Sequence, residues 1–178
     1  VAEPGATASG PPDRFAVTAD LVRRAQRGDA VAVNDLLDVL TPYVTRLCGP
    51  IALQDSADAA QEALLAVFQG LRNVRDPDAF YSWVRTTTVR EAVRVARRNQ
   101  RQIPTELDVI PDVGSPELAA DVRDVLDRLS PEHRAILVLR EIEGLDEKTA
   151  ADRLTISPGT AKSRLSRAKS TFRKAWTS

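Results

Sequence analysis

Cysteine and histidine each occur once, as Cys48 and His133, and methionine is absent. A lone thiol excludes an intramolecular disulfide, a cysteine-rich zinc site and a CxxC redox pair. Its neighbours Val44 and Leu47 suit a small buried thiol. No cluster of metal ligands, no glycine-rich phosphate loop and no nucleophile motif appears. Neither a metal, a cofactor nor an enzymatic reaction is therefore expected. Aromatic residues make up only 4% of the chain, so a core must be built from Leu, Val, Ile and Ala. That mixture suits small helical bundles better than sheets. No apolar run approaches the length of a membrane span and no secretory signal is recognised, so the expectation is a cytoplasmic protein without a membrane partner.

Charge of either sign is not scarce but it is sorted. The 25 basic and 25 acidic side chains cancel over the 178 residues. Residues 81–102 nevertheless hold six Arg against one Glu, residues 103–132 eight acids against two Arg, and residues 155–178 six Lys or Arg and no acid. One basic block is ordinarily a solvated helix face. Two of them, each on a helix with a clear apolar stripe, imply two anion-binding surfaces joined by an acidic connector.

Nothing reads as a strand, and the pattern predicts an all-α chain of two small helical domains. Residues 1–16, with Pro4, Gly5, Gly10, Pro11 and Pro12, are expected to form a disordered tail. A short helix from about Thr18 to Arg27 stops before Gly28, and Asp29 caps the next, whose apolar positions run Val33, Leu36, Leu37, Leu40, Val44 and Leu47. Pro42 should kink or break that helix. A third helix spans about Asp55–Leu71 with Ala60, Leu64, Val67 and Leu71 inward. A fourth, started by Asp76-Pro77, carries the stripe Phe80, Val84, Thr88, Ala92 and Val95 to about Arg98. This first domain, 17–100, is followed by a linker at 101–115 punctuated by Pro104, Pro111 and Gly114. In the second domain, 116–178, Ser115-Pro116 and Ser130-Pro131 start two helices. Ala135–Leu139 should centre a second core, and Gly144 should end its helix.

Residues 146–169, DEKTAADRLTISPGTAKSRLSRAK, read as a helix-turn-helix turning at Thr155-Ile156. In its second helix Ala161, Leu165, Ala168, Phe172 and Ala175 share one face, and Lys162, Ser163, Ser166, Arg167, Ser170 and Lys174 share the other. Cations among small hydroxyls suit a helix entering the major groove. Upstream, Asp55, Asp58, Gln61 and Glu62 form an acidic ridge on the third helix. The fourth helix aligns Arg90, Arg94, Arg97, Arg98 and Arg101 behind FYSWV at 80–84, whose aromatics can stack on unpaired bases.

With these residues in place the chain resembles the sigma-70 family, specifically its compact extracytoplasmic-function (ECF) group. The stretches that carry the resemblance are DSADAAQEALLAVF at 55–68, FYSWVRTTTVREAVRVARRNQR at 80–101, and LSPEHRAILVLREIEGL through SPGTAKSRLSRAK at 129–169. The resemblance implies a region-2-like four-helix domain and a region-4-like helix-turn-helix domain, with core RNA polymerase and promoter DNA as partners. It also admits an anti-sigma factor. By the same resemblance Asp55, Asp58, Gln61 and Glu62 dock on the polymerase. Tyr81, Trp83, Arg90, Arg94 and Arg97 bind and open the −10 element, and Thr160, Lys162, Ser163, Ser166 and Arg167 contact the −35 element. Thr86 and Thr87 replace residues usually apolar, and Arg90 stands where Asn is common; both departures bear on −10 preference. Thr155 stands where Gly is frequent, and a left-handed backbone there would carry strain.

Two other classes fit less of the chain. A helix-turn-helix regulator of the response-regulator output type would need a receiver, and residues 18–98 show no alternating strand-helix pattern for one. For an enzyme, Asp58 and Glu62 could be paired acids, but nothing near them in sequence supplies a substrate pocket.

Overall fold

The computed structural model describes residues 14–76, 79–100 and 116–176, all of it helices and short connections. The first unit comprises α1 (Arg14–Gln26), α2 (Ala30–Ala52), α3 (Ser56–Gly70) and α4 (Phe80–Gln100). The second comprises α5 (Pro116–Asp127), α6 (Pro131–Leu137), α7 (Glu147–Leu154) and α8 (Pro158–Trp176). The linker at 101–115 and most of the expected tail lie outside the described residues.

Local chemistry sets most of the boundaries. Asp29 caps α2 by accepting from the amides of Val31 and Ala32 at 3.0 and 3.1 Å. Arg24 donates to the same carboxylate at 2.8 Å. Backbone amides, then the guanidinium, hold the Asp29 carboxyl below its ordinary range. Ser130 caps α6 with Pro131 in its first turn, and Asp146 caps α7 through the Thr149 amide at 2.9 Å. The chain reverses after α1 at Gly28, whose φ of +90° is open to glycine at no steric cost.

Several expectations need correcting. Helix α1 starts at Arg14, ahead of Thr18, because neither Gly nor Pro lies between them to stop it. Residues 14–16 thus belong to a helix and not to the tail. Pro42 does not break α2, which runs unbroken through both Pro42 and Pro50. Pro42 lies on the solvent face, where a carbonyl without its helical donor can meet water, and the Thr41 hydroxyl donates to the Leu37 carbonyl at 2.7 Å. Helix α4 begins at Phe80, later than the Asp76-Pro77 signal, after a turn closed by the Ala79 amide on the Asp76 carbonyl. Helix α6 passes into a π-helical turn, Val138–Ile142, before Gly144 at φ +66° ends it.

The α4 stripe Phe80, Val84, Thr88, Ala92 and Val95 is buried throughout, as are Leu36, Leu40, Val44 and Leu47 of α2. Each such Leu, Val or Phe contributes about 1.5–3 kcal/mol by leaving water. Leu64 of α3 is only partly buried; Ala59 and Ala63 take the closer positions, letting α3 approach its neighbours. The second core, Ala135, Ile136, Val138 and Leu139, is present, but it is continuous with the first. The apolar face of α2 is consumed in this packing, with Ile51 and Cys48 fully buried at its far end.

Candidate nucleic-acid interface

The exposed cationic and hydroxyl face of α8 is where the pattern placed it. Ala161 and Ala168 are buried, Leu165 and Phe172 are half-buried, and Lys162, Ser163, Ser166 and Arg167 are exposed on the opposite side. Ser157 caps the helix through the Thr160 amide at 3.1 Å and meets the Thr160 hydroxyl at 2.8 Å. Ser163 returns its hydroxyl to the Thr160 carbonyl at 3.0 Å. The turn between α7 and α8 puts Thr155 in the left-handed region, φ 56° and ψ 47°. A β-branched residue is strained there. Near the start of α6 and facing the same basic helix, His133 has its pKa lowered by burial and then by the cations Arg164 and Arg167.

The acidic ridge of α3 and the arginine row of α4 are brought together rather than held as two separate surfaces. Arg94 Nη2 reaches Glu62 at 3.0 Å, Arg98 Nη2 reaches Asp58 at 2.6 Å, and Asn99 donates to Asp55 at 2.9 Å. Arg94 also donates to Glu91 at 2.6 Å. Gln61 stays exposed on the outer side. This ladder is at the surface, with the side chains of Arg94 and Asp58 52% and 47% exposed. Such pairs contribute about 0–1 kcal/mol each, so an external partner can displace them at little cost. Of the other arginines of the row, Arg101 lies outside the described residues, and the other two look toward the second unit: Arg90 donates to the Thr155 hydroxyl at 2.6 Å, and Arg97 pairs with Glu132.

The aromatics are less available than their sequence suggested. The Tyr81 hydroxyl lies 3.1 Å from that of Thr18, and its ring meets Tyr43 edge-on at 6.0 Å. Trp83 is half-buried, tilted against Phe80 at 6.0 Å and resting on Gly70. Phe68 and Leu65 on α3 are the large apolar side chains left out in solvent on this side, 49% and 51% exposed; the inward spacing of that helix directed attention away from them.

Residues 32–102 match Sigma-70 region 2, and residues 119–172 match Sigma-70, region 4. The RNA polymerase sigma-H factor of Pseudomonas aeruginosa is 32% identical over 181 residues, spanning 87% of this chain and 91% of that protein. The chain belongs to the sigma-70 family. Its place in the ECF group follows from relatives such as the ECF RNA polymerase sigma-E factor of Haemophilus influenzae, 29% identical over 84% of this chain and 89% of that protein. Two solved structures share the fold. CnrH, solved with the cytosolic domain of CnrY, superposes with a TM-score of 0.61 at 22% identity, covering 89% of this chain and 96% of that one. The sigma factor RpoE, solved with the anti-sigma factor NepR from Bartonella quintana, gives 0.65 at 20% identity, covering 81% and 96%.

As a sigma factor the chain serves promoter recognition in transcription initiation, and the response-regulator alternative loses its footing. Its region 2 occupies the part of the chain where that alternative had no counterpart. Sequence reasoning missed the side chains that join region 2 to region 4. The Glu143 carboxylate accepts from Tyr43, Arg85 and Arg46 at 2.8, 2.7 and 3.0 Å. Burial, then the hydrogen bond to Glu143, pushes the Tyr43 phenol up to about 12. Arg134, 3% exposed, donates to the carbonyls of Ile51, Leu126 and Leu129. No periodicity marks such residues, because their partners lie up to a hundred positions away.

Proposed function

We propose that this ECF sigma factor delivers core RNA polymerase to promoters by dividing the work among three surfaces, in the cytoplasm and without chemistry of its own. Asp55, Asp58, Gln61 and Glu62 dock on the polymerase. Tyr81, Trp83, Arg90, Arg94 and Arg97 bind the −10 element and capture its unpaired bases. Thr160, Lys162, Ser163, Ser166 and Arg167 read the −35 element from the major groove. The domains in this reading are 17–100 and 116–178, with 101–115 as their linker.

The observation that carries it is the outward face of α8, where four cationic or hydroxyl side chains stand exposed on a helix without a single acid. Each DNA surface alone offers few contacts. Held by polymerase at fixed separation, the second contact becomes intramolecular and gains from effective concentration. Capturing flipped bases would then open the duplex as a binding-driven shift of population. An anti-sigma partner belongs to the same reading, supported by an apolar groove of about 440 Å³ lined by Pro50, Val122, Leu126, Leu137 and Phe172, with Lys169 and Glu141 at its edge.

Promoter-dependent transcription with purified core enzyme, with and without the chain, tests this. Activity should appear only with the chain. The double reversal Asp58→Lys, Glu62→Lys should abolish association with core while leaving far-ultraviolet circular dichroism intact. Unchanged affinity of that variant for core would defeat the docking assignment.

A further inference from the structure

Helix α1 lies ahead of residues 32–102, the span that matches Sigma-70 region 2, yet two of its side chains reach the junction of α3 and α4. Thr18, Val22 and Gln26 follow one another at intervals of four and share a face, the outer two about 12 Å apart along the axis. At one end the Gln26 side-chain amide donates to the carbonyls of Leu71 and Val74 at 3.0 and 2.7 Å, which uses both of its hydrogens. Those carbonyls bracket Leu71–Asn73, the single turn of 3-10 helix that leads the chain out of α3. Gly70, the residue before that turn, is the one on which the Trp83 indole rests. At the other end Thr18 is buried, and its hydroxyl lies 3.1 Å from that of Tyr81. Both aromatics are held from α1, Tyr81 directly and Trp83 through the turn beneath it.

We propose that Thr18 and Gln26 are positioning residues for the −10 element: α1 braces the junction of α3 and α4 and sets where Tyr81 and Trp83 stand when an unpaired base arrives. This rests on the reading of those two aromatics as the residues that capture bases. Leu21, Val22 and Ala25, all buried, keep α1 in place by packing. Packing of that kind has no direction, whereas hydrogen bonds do. Two bonds from one amide to carbonyls three residues apart fix both the height and the rotation of the turn under Trp83. A ring already fixed loses little freedom when a base stacks on it, and one that must first be ordered gives up part of the gain. The bracing is spent on the capture of bases and not on the contacts of α8, which lie in the other unit.

Gln26→Leu removes both donors at similar volume, and Thr18→Val keeps the shape of the side chain while removing its hydroxyl. Both are made in the full chain with Trp176→Phe, so that Trp83 is the single indole. In the free chain, Trp83 emission should move to longer wavelength in Gln26→Leu and stay put in Thr18→Val, which acts on Tyr81. With core enzyme, on a promoter selected using the parent chain, permanganate reactivity of unpaired thymines follows opening. Its rate should fall roughly three- to tenfold in either variant, what the loss of one net hydrogen bond amounts to. The closed complex, measured at low temperature, should keep the parent affinity. Opening at the parent rate in both variants overturns the proposal. An equal loss in closed and open complexes overturns it too, because the fault would then lie in the fold as a whole. Slowed opening in Gln26→Leu with the emission unmoved also overturns it, since the turn would not act through Trp83. Failure of the parent reading appears elsewhere, as absent transcription by the unaltered chain with core, and leaves the emission shift of the free chain where it is.

Discussion

The indole of Trp83 lies so close over Gly70 that a β-carbon on the glycine would come within 2.6 Å of Cζ2. Gly70 ends α3 and Trp83 lies in the first turn of α4, so the contact fixes the ring against the junction of the two helices. Gly70→Ala should therefore displace the indole toward solvent. Trp83 fluorescence, read in a Trp176→Phe background, should shift to longer wavelength, and promoter opening should slow while −35 binding is kept. An unmoved emission maximum would show that the ring is not held by that contact.

Thr88 is fully buried on the α4 stripe, and its hydroxyl finds no partner among the described residues. An unsatisfied buried hydroxyl costs about 1–3 kcal/mol, and Val has the same shape without it. Thr88→Val should raise stability by about 1 kcal/mol, or roughly 2–4 °C in Tm for a chain of this size. Thermal unfolding measures it directly, and a fall in Tm would mean that the hydroxyl is satisfied in solution.

His133 has a folded pKa below its ordinary 6.5, through burial and then through Arg164 and Arg167. The unfolded chain therefore binds the proton more readily than the folded one. The associated stability is present in full above pH 6.5 and is lost as pH falls through that value toward the lower folded one. Urea unfolding at pH 7.5 and pH 5.5 should show the loss in the parent chain, and His133→Gln should remove that part of the slope. A parent chain more stable at the lower pH would reverse the assignment.

At the outward face of α8, Arg167→Ala should cost about 1–3 kcal/mol of promoter binding if the guanidinium reads a base, with relaxed selection at one −35 position. Lys162→Ala should weaken binding evenly across sequences and lower the salt slope by about one. Selection from a randomised −35 library separates the two: an even loss for Arg167→Ala would make it a phosphate contact.

The legible parts of the molecule are those whose causes are local. The stripe from Phe80 to Val95, the helix starts at Asp29 and Ser130, and the apolar and cationic faces of α8 all follow from local signals within one helix. A break at Pro42 does not occur because the penalty of a missing amide depends on which face the ring occupies, and α2 turns it to solvent. The ridge of α3 and the row of α4 were each legible, but their mutual pairing was not, since only the packing of the two helices brings Arg98 to Asp58. Glu143 and Arg134 gave no signal in the sequence, because a buried charge is recognised by its partners and these come from other helices.

The segregation of charge along a chain of zero net charge has one more consequence. A molecule without a net monopole feels no overall pull toward a polyanion, yet one whose cations gather on α8 carries a large dipole. Within the last ~10 Å of approach, where screening no longer hides it, the field of the duplex exerts a torque that swings that helix foremost. Counter-ions thus act on how the approaching molecule is aimed as well as on how tightly it is held once the phosphates are met.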